Sequence, residues 1–593
     1  MALAAEAPSL TSLSGRRWLW READPARVLA IAQRHGLAEI VARILVARGV
    51  TSEAVPAFLE PRLRDWMPDP SHLLDLDRAV ERLAAAVQTG EPVGLIGDYD
   101  VDGATAAALL GRYLRDRGCP VEVLVPDRIR HGYGPHPELL EQLAAKGIRL
   151  VVTVDAGTTA FAPLAAARAR GLEVIVIDHH SAEAELPAAY ALVNPNRQDQ
   201  ESPLGRLAAV GVTFLLLVGL NRVLRARGLW RRQEEPNLLE MLDLVALGTV
   251  CDVVPLEGLN RAFVAQGLRV AGRTRLPGLR ALVQAAGLSM ISTPGHLGFA
   301  LGPRLNAGGR IGRSDLAVRL LMTDAAGEAE ELAAALDRLN RERQRLERSV
   351  LEAALAQIEP QLREGRPLLL AHGRGWHPGV VGIVAGRLLE RHGRPVFVLG
   401  EDNGILRGSA RSIAGFDIGR AVLEARRMGL LRAGGGHPMA AGVTLESDHR
   451  AAFERFLLER AGTAFASEPP GPAPIRLDGM LSVTAVEPSL ARSLQQIAPF
   501  GPGNAEPRFC LVDAVPVHAR TVGDNHVSCW LSGADGRRVR AIAFRALSGP
   551  VGERLLAGRT RLWLAGKLRH EIWQGREQAS FEIEDAALPP GSA

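Results

Sequence analysis

Hydrophobic residues follow two alternating patterns from about residue 76 onward. Short continuous apolar runs are separated by longer stretches of small residues with helical spacing, and the runs lie at Val93–Ile96, Val121–Val125, Leu150–Val154 and Val174–Ile177. Continuous runs are typical of strands buried on both faces, and strand–helix–strand spacing of this kind predicts parallel pairing. The pattern therefore predicts an α/β domain with a parallel sheet over residues 76–262.

The remaining pattern divides the chain into four further segments. Helical periodicity predicts a helical lead-in over residues 1–75. Residues 263–365 form a connecting region with one long amphipathic helix predicted over 328–358, between Gly327 and Pro360. Residues 366–467 favour a second α/β domain with three glycine-rich patches. After a Pro/Gly linker, short alternating runs over residues 475–590 predict a small closed β-barrel.

Composition narrows the class of protein without identifying it. With 593 residues, 47% hydrophobic and 23% charged, the chain can form several ordinary globular cores. We expect a cytoplasmic protein, because apolar runs fall short of the ~20 residues that span a bilayer and the N-terminus lacks a signal peptide's apolar core. The four cysteines are far apart, which argues against a structural zinc site. The net charge of +4 permits a nucleic-acid partner without requiring one.

Acidic and imidazole groups follow several of the predicted elements. Asp98, Asp100 and Asp102 come after the first run, Asp155 after the third, and the triplet Asp178–His180 after the fourth, while Asp252 ends the helical segment MLDLVALGTV. Groups at the carboxyl ends of parallel strands meet at one edge of a sheet. Crowded carboxylates repel one another and need a counter-charge, for which a hard divalent cation is suited. Each residue alone is more often a turn former or structural histidine, but four such positions together favour a shared metal site.

Seven motifs occur in a recognisable order: GDYDVDGAT, VIDHH, ALGTVCDVVPLEGLNR, GPRLNAGGR, GWHPGVVGIVAGR, GSARSI and GGHPMAAG. With them the chain resembles the DHH phosphoesterase superfamily, and within it the RecJ family of bacterial exonucleases. The resemblance extends from RGVTSEAVPAFLEP near the N-terminus to FGPGNAEP near the barrel. It implies an α/β multidomain fold, with a DHH parallel-sheet domain and a DHH-associated α/β domain joined by a long helix, plus a C-terminal OB-fold barrel. Ala156, Cys251 and Pro438 depart from the residues common in the family, but none of them is a predicted ligand.

The resemblance also implies an activity and a set of metal ligands. The expected reaction is 5′→3′ degradation of single-stranded DNA to 5′-mononucleotides by two-metal phosphodiester hydrolysis, in DNA recombination and repair, including mismatch repair. Two Mn²⁺ or Mg²⁺ ions are expected, with Asp155 bridging them and Asp98 either a ligand or a support. Asp178 is expected to orient the histidines, and His180 to act on the substrate. The implied metal ligands are Asp98, Asp100, Asp102, Asp155, His179 and Asp252. The implied catalytic residues are Asp100, Asp102, Asp155, His179, His180 and Asp252.

The DNA contacts implied by the resemblance lie in the two α/β domains and in the connecting region between them. The implied contacts are Arg128, Arg304, Asn306, Arg310, Ser409, Arg411, Ser412, Gly435, Gly436 and His437. For each of them, a structural salt bridge or loop cap is the alternative to a DNA contact. In the barrel, Trp530, Trp563 and Trp573 are candidates for stacking on bases or for the core. The expected partner is single-stranded DNA with a 5′-phosphate. A single-strand-binding protein and a RecQ-type helicase are candidate protein partners, and we expect a monomer without a membrane anchor in a bacterial cytoplasm.

Three other functions remain as alternatives. One is a DHH phosphodiesterase acting on short oligonucleotides or cyclic dinucleotides, although such relatives are typically shorter or carry other modules. Another is an inactive DHH scaffold that only binds DNA, which should have lost ligand positions that are filled here. The third is an inorganic pyrophosphatase, whose first motif begins with His where this chain has Asp98.

Overall fold

The computed structural model describes residues 10–128, 130–231, 234–573 and 576–590, and the side chain of Trp573 lies outside the described part. Contacts group the chain into two bodies. The first body comprises residues 60–344 and 499–505, and the second comprises the described residues of 1–59, 345–498 and 506–593.

Two short strands and four helices precede the first α/β domain. They are β1 (Leu10–Thr11), β2 (Arg17–Trp20), α1 (Pro25–His35), α2 (Glu39–Ala47), α3 (Val55–Leu59) and α4 (Leu63–Trp66).

A parallel sheet with flanking helices forms the centre of the first body. Its elements are α5 (Leu76–Thr89), β3 (Val93–Gly97), α6 (Val101–Asp116), β4 (Val121–Leu124), α7 (Pro137–Ala145), β5 (Leu150–Val154), α8 (Phe161–Ala169), β6 (Glu173–Ile177), β7 (Ala191–Val193), α9 (Ala209–Ala226), α10 (Leu242–Cys251) and α11 (Gly258–Ala271). The strand order is β4-β3-β5-β6-β7 and all four pairings are parallel, which confirms the predicted sheet. The domain boundary predicted at residue 262 falls inside α11.

The register of this sheet sets where the site is built. Gly97 pairs with Val154, and Val154 pairs with Ile177, so that β3, β5 and β6 end at the same level. The next residue of each strand is an aspartate, and the three aspartates therefore lie side by side at the carboxyl edge.

One helix of the described chain, α9, is long and apolar enough to cross a membrane. Its mean hydropathy is 1.6, but 72% of it is buried inside the fold. Leu215, Leu216 and Leu217 in its centre are fully buried in the core of the first body. The helix therefore serves as the central core helix beside the sheet.

The connecting region is helical throughout much of its length. It contains α12 (Pro277–Ala285), a π-helical segment (His296–Leu301), α13 (Gly302–Ile311), α14 (Leu316–Met322) and α15 (Ala326–Arg363). The long helix was predicted over 328–358 and has 38 residues, since Gly327 and Pro360 lie inside it instead of bounding it. Pro360 lies in the last turn of the helix, where Glu364 still donates to its carbonyl, so the helix continues past the proline.

The second α/β domain, which the resemblance identifies as DHH-associated, is a mixed sheet covered by helices. Its elements are β8 (Leu369–Arg374), α16 (Pro378–His392), β9 (Val396–Asp402), β10 (Ile405–Arg411), α17 (Ile418–Arg427), β11 (Ala433–His437), β12 (Ala440–Glu446) and α18 (Arg450–Ala464). The strand order is β11-β12-β10-β9-β8, and only β8 and β9 pair in parallel. The glycine-rich β11 is thus an exposed edge strand.

The C-terminal part closes into the predicted barrel. Its elements are β13 (Ile475–Leu477), β14 (Gly479–Leu481), α19 (Pro488–Gln495), β15 (Phe509–Val522), β16 (His526–Ser532), β17 (Arg538–Ala543), α20 (Pro550–Ala557), β18 (Leu562–Trp573) and β19 (Arg576–Ala587). The strands run in the order β15-β16-β17-β19-β18, and β18 pairs back onto β15. The closed barrel is therefore confirmed, with β14 added in parallel beside β15.

The prediction that residues 1–75 are helical is wrong at β1 and β2. These strands form a small sheet with β13, which therefore does not belong to the barrel. Trp18 of β2 is fully buried, and its Nε1 donates to the Asp585 carboxylate at 3.1 Å. A four-residue strand whose partners are a two-residue strand and a strand over 450 residues away leaves too little local pattern to be recognised.

Candidate active site

The first three aspartates occupy the turn from β3 into α6. Asp98 is 4% exposed directly after the strand, and Asp100 is the N-cap of α6, its carboxylate accepting from the Gly103 amide at 3.1 Å. Asp102 is fully buried and accepts from the amides of Ala209 and Val210, at 2.6 and 3.0 Å, at the start of α9. A side chain on Gly103 would lie 2.5 Å from the Asp98 nitrogen, so this tight turn requires glycine.

Asp155 follows β5 with a φ of 62°, a left-handed conformation that is uncommon for residues other than glycine and is better tolerated by Asp and Asn. The residue is 3% exposed, and its Oδ1 lies 3.2 Å from Nε2 of His179. Backbone strain of this kind concentrates at functional sites, where the surroundings hold it. Asp155 is therefore held in place by the fold at the centre of the site.

Asp252 reaches the same edge from a helix. It caps the C-terminus of α10, and its Oδ2 lies 3.8 Å from Nε2 of His179. Oδ2 of Asp102 lies at the same distance from that nitrogen. His179 is consequently surrounded by carboxylates from three different elements.

These residues form overlapping groups whose donor atoms lie within 4.8 Å of one another. One group is Asp98, Asp100 and Asp155, another is Asp102, His179 and Asp252, and a third joins Asp155 to His179 and His180. The short Asp155–His179 distance links the first group to the second. All six ligand positions expected from the sequence are thus brought together in two linked groups.

Unsatisfied atoms provide a test of whether cations fit these groups. Among the described residues, the buried side-chain atoms without a hydrogen-bond partner include four from these groups: Asp98 Oδ1, Asp155 Oδ1, His179 Nε2 and Asp252 Oδ2. Buried polar atoms without partners are rare in native proteins and call for an unseen ion or ligand. All four are atoms that can bind a metal, so the donor set fits hard divalent cations.

The electrostatics of these side chains agree with this fit. Burial and the charge of Asp100 raise the pKa of Asp98 to about 8 and that of Asp102 to about 7. Burial raises the pKa of Asp252 to about 9, with Asp102 adding to the effect. Burial and the neighbouring His180 lower the pKa of His179 to about 4, which keeps its imidazole in the neutral form that binds metals. Without a cation the carboxylates destabilise one another's charge.

Asp178 orients the two histidines through a single oxygen. Its Oδ1 accepts from the His179 amide at 2.8 Å, from the His180 amide at 3.2 Å and from Nδ1 of His180 at 2.8 Å, while its Oδ2 accepts from the Thr158 amide at 3.0 Å. Burial favours the neutral acid, but the hydrogen bond and charge of His180 outweigh it and lower the pKa of Asp178 to about 2. The carboxylate therefore holds the proton of His180 on Nδ1 and leaves Nε2 available.

Tyr133 is a residue of the site that the sequence reasoning missed. Its hydroxyl lies 2.9 Å from the Asp155 carbonyl and 2.9 Å from Nδ1 of His180, and its ring packs edge-on against that histidine. Since the His180 proton is held by Asp178, the hydroxyl donates to the Asp155 carbonyl. The only sequence signal was an aromatic between two glycines, GYG, in the loop before α7.

A cavity of about 340 Å³ opens beside the carboxylates of Asp98 and Asp100. Arg128, Asn306 and Arg310, three of the residues expected to contact phosphates, line this cavity. The Arg128 guanidinium lies 5.2 Å from the centre of the Tyr99 ring, a cation–π distance. Arg304 differs: it forms an ion pair with the buried Asp337 at 2.9 Å and donates to the Ala300 carbonyl, so its guanidinium supports the fold.

The predicted contacts of the DHH-associated domain separate into two sets. Ser409 of β10 and Gly435 of β11 both pair with Gly442 of β12, so they lie in one row across the sheet. Arg411 of β10 and His437 of β11 both pair with Ala440 of β12 and lie in the next row on the same face. These four residues share one face of the sheet.

Ser412 and Gly436 lie elsewhere in that domain. Ser412 is 1% exposed, and its hydroxyl donates to the Phe416 carbonyl at 2.6 Å. The Gly436 carbonyl lies against Gly419 of α17, and a side chain on Gly419 would lie 2.9 Å from that carbonyl oxygen. The structure therefore gives both residues roles in packing.

Comparison with known proteins gives family matches along most of the chain. The models "DHH family, N-terminal domain", "DHHA1 domain" and "RecJ OB domain" match residues 92–249, 365–463 and 477–585. This chain is also similar to proteins named single-stranded-DNA-specific exonuclease RecJ. That of Escherichia coli is 38% identical over 84% of this chain and 88% of its own length, and that of Bacillus subtilis is 34% identical over 97% and 71%.

Solved structures show the same relationship. The crystal structure of RecJ from Thermus thermophilus in complex with Mn²⁺ is similar with a TM-score of 0.79 and 31% identity, covering 97% of this chain and 80% of that one. A structure of exonuclease RecJ bound to manganese has a TM-score of 0.57 and 35% identity, covering 68% and 96%. Both were solved with the class of ion that the donor groups fit.

Proposed function

Since this chain belongs to the RecJ family of single-stranded-DNA-specific exonucleases, we propose that it hydrolyses single-stranded DNA from the 5′ end and releases 5′-mononucleotides. The observation that carries the proposal is the pair of donor groups linked through Asp155 and His179, with four unsatisfied atoms directed into them. The direction of degradation is taken from the family resemblance.

Two divalent cations, Mn²⁺ or Mg²⁺, are assigned to these groups. Asp98, Asp100 and Asp155 would hold one, and Asp102, His179 and Asp252 the other, with Asp155 placed to contact both. Such a pair, when bound, lowers the pKa of the attacking water and neutralises charge on the attacking and leaving oxygens. Several carboxylates with a single imidazole favour these ions over softer metals.

Residues beside the cation ligands position His180, which can supply a proton to the reaction. Asp178 fixes the tautomer of His180, so that Nε2 of this half-exposed ring is left for the substrate. The hydrogen bond to Asp178 raises the pKa of His180 despite its burial. A protonated His180 can donate to a non-bridging phosphate oxygen or give its proton to the leaving 3′ oxygen. Tyr133 holds the ring against the Asp155 backbone.

The substrate contacts follow from charge and exposure. Arg128, Asn306 and Arg310 are assigned to phosphates near the cations, because they line the cavity beside Asp98 and Asp100. Ser409, Arg411, Gly435 and His437 are assigned to the strand end carrying the 5′-phosphate, because they share one face of the sheet. On that face Gly435 and Gly442 have open space around them, which lets a backbone approach.

The barrel is assigned to more distant nucleotides. Trp530 of β16 is 41% exposed and lines a groove of about 420 Å³ together with Arg520 and Arg540. An aromatic ring flanked by cations is the usual platform for unpaired bases. Trp563 instead packs against the cluster around Trp18, so it belongs to the core.

We further propose that the protein acts in the bacterial cytoplasm. We propose that it works as a monomer, because the donor groups are complete within residues 98–252 of one chain. A substrate that must be unpaired makes a RecQ-type helicase and a single-strand-binding protein suitable partners in recombination and repair.

The decisive experiment uses a 5′-phosphorylated single-stranded oligonucleotide with a 3′ label, with and without Mn²⁺. Asp155→Asn is the test variant, because asparagine tolerates the φ of 62° while losing the charge. Asp243→Asn is the control, since Asp243 is equally buried but lies outside the donor groups.

We expect Mn²⁺-dependent shortening from the 5′ end by wild type and control, and none by Asp155→Asn, which should still bind the strand. Hydrolysis of a dinucleotide with intact DNA would instead indicate a small-substrate phosphodiesterase. Binding without hydrolysis would leave only an inactive scaffold.

A further inference from the structure

The motif FGPGN, just before the barrel, is not used by any step of the proposed reaction. Residues 499–505, called here the clasp loop, group with residues 60–344 of the first body instead of with the barrel that follows them in sequence. The loop is closed on itself by paired backbone bonds between Gly501 and Asn504, at 3.0 and 3.1 Å. It is therefore a small preformed hairpin placed against the metal-centre body.

The clasp loop packs on the turn that follows Asp252. The Leu256 amide donates to the Pro502 carbonyl at 2.7 Å, and the buried Arg261 donates from Nη1 to the Pro499 carbonyl at 3.2 Å. Asn504 is 2% exposed and donates to that same Pro499 carbonyl at 2.7 Å. Three donors thus fix two carbonyls of the loop.

Glycines allow this close approach. Gly503 has a φ of 73°, and a side chain there would lie 3.1 Å from Cβ of Pro255 and 2.9 Å from a carboxylate oxygen of Glu257. A side chain on Gly501 would lie 2.7 Å from Leu256. A methyl group at position 503 therefore requires Pro255 of the turn to shift by a few tenths of an ångström, and one at position 501 requires the Leu256 side chain to move.

The turn itself needs external support. It begins at Asp252, and Val253 has a φ of 63° and is 65% exposed. A left-handed β-branched residue is strained and persists only when its surroundings hold it. Within the turn, the Asn260 side chain donates to the Pro255 carbonyl at 3.1 Å, and the clasp loop supplies the bond to Leu256.

We propose that the clasp loop is a positioning element that holds the turn after Asp252 and so sets the place of the Asp252 carboxylate in the metal centre. This inference rests on the proposed function, because it takes Asp252 as a cation ligand. Residues that orient ligands from outside the coordination sphere typically change metal affinity about 10- to 100-fold when altered.

The test measures Mn²⁺ affinity by isothermal titration calorimetry on the full chain without DNA. Gly503→Ala introduces a methyl against Pro255, whereas Gly536→Ala, at a φ of 80° with nothing within 4 Å, imposes the same backbone strain without a contact. Asp252→Asn and the double variant Asp252→Asn/Gly503→Ala complete a cycle. Binding of a labelled single strand in EDTA is followed in parallel.

We expect Gly503→Ala to weaken one Mn²⁺ site about tenfold. Gly536→Ala should be unchanged, and Gly503→Ala should add no further loss once Asp252 is replaced. Strand binding in EDTA should be the same in all variants.

Wild-type Mn²⁺ affinity in Gly503→Ala, beside a loss in Asp252→Asn, would overturn the clasp role alone. An equal loss in Gly536→Ala would overturn it too. Wild-type affinity in Asp252→Asn would refute the assignment of the metal centre. Should Gly503→Ala fold poorly, Asn504→Ala removes the side-chain bond to the Pro499 carbonyl and must show the same weakening.

Discussion

Replacement of Asp178 by asparagine tests whether this buried carboxylate serves catalysis or only the fold. The residue is 1% exposed, and its two oxygens accept four N–H groups, three of them on Oδ1. Asparagine keeps the shape but has only one acceptor oxygen. If that oxygen faces the histidines, the new NH₂ group faces the Thr158 amide and leaves a buried donor unpaired.

The size of the effect follows from this count. An unpaired buried donor costs about 1–3 kcal/mol, and the three remaining bonds lose their charge assistance, so a total of about 2–4 kcal/mol is expected. In a body of this size that corresponds to a fall of roughly 3–7 °C in the melting temperature. Because the same oxygen holds the His179 amide and the His180 ring, Mn²⁺ affinity and kcat should fall about 10- to 100-fold.

Asp243→Asn is the matched control. Asp243 is equally buried, but its partners are the Leu244 amide at 2.8 Å and the Thr274 hydroxyl at 2.6 Å. A hydroxyl can accept from the new amide, so a stability change below about 1 kcal/mol is expected, with normal Mn²⁺ binding. The reasoning is refuted if Asp178→Asn melts earlier while its Mn²⁺ affinity and turnover match the wild type.

The positions of the residues at the centre of the site could be predicted from the sequence, because the buried strands that carry them are marked by apolar runs with clear ends. β5 was predicted and found over Leu150–Val154, since a continuous apolar run is what a strand covered on both faces requires. Parallel topology then places the residues after β3, β5 and β6 at one edge, whatever the details of packing. Asp98, Asp155 and Asp178 were therefore predictable together.

Residues whose role depends on distant packing could not be assigned in this way. Arg304 and Ser412 have the chemistry of phosphate ligands, but Asp337 and the Phe416 carbonyl engage them in the fold. Tyr133 was missed because one hydroxyl reaches two elements that are unrelated to it in sequence. β2 was missed because one partner strand, β1, has only two residues and the other, β13, comes more than 450 residues later.

Two further predictions address the barrel and the protonation of the site. Trp530→Ala should weaken binding of a labelled single strand in EDTA by about 1–3 kcal/mol, measured by fluorescence anisotropy, and unchanged affinity would exclude this tryptophan as a stacking platform. The affinity for Mn²⁺ should rise with pH. Asp98 and Asp252 have pKa values raised to about 8 and 9, so below those values each carries a proton that a cation must displace. Deprotonation removes that competition, and the dissociation constant should fall about tenfold per pH unit for each proton released between pH 6 and 9. Calorimetry in buffers of different ionisation enthalpy counts those protons directly. A dissociation constant that stays flat over this range would mean that the carboxylates are already ionised in the free protein, and that their mutual repulsion is relieved by something other than the cations.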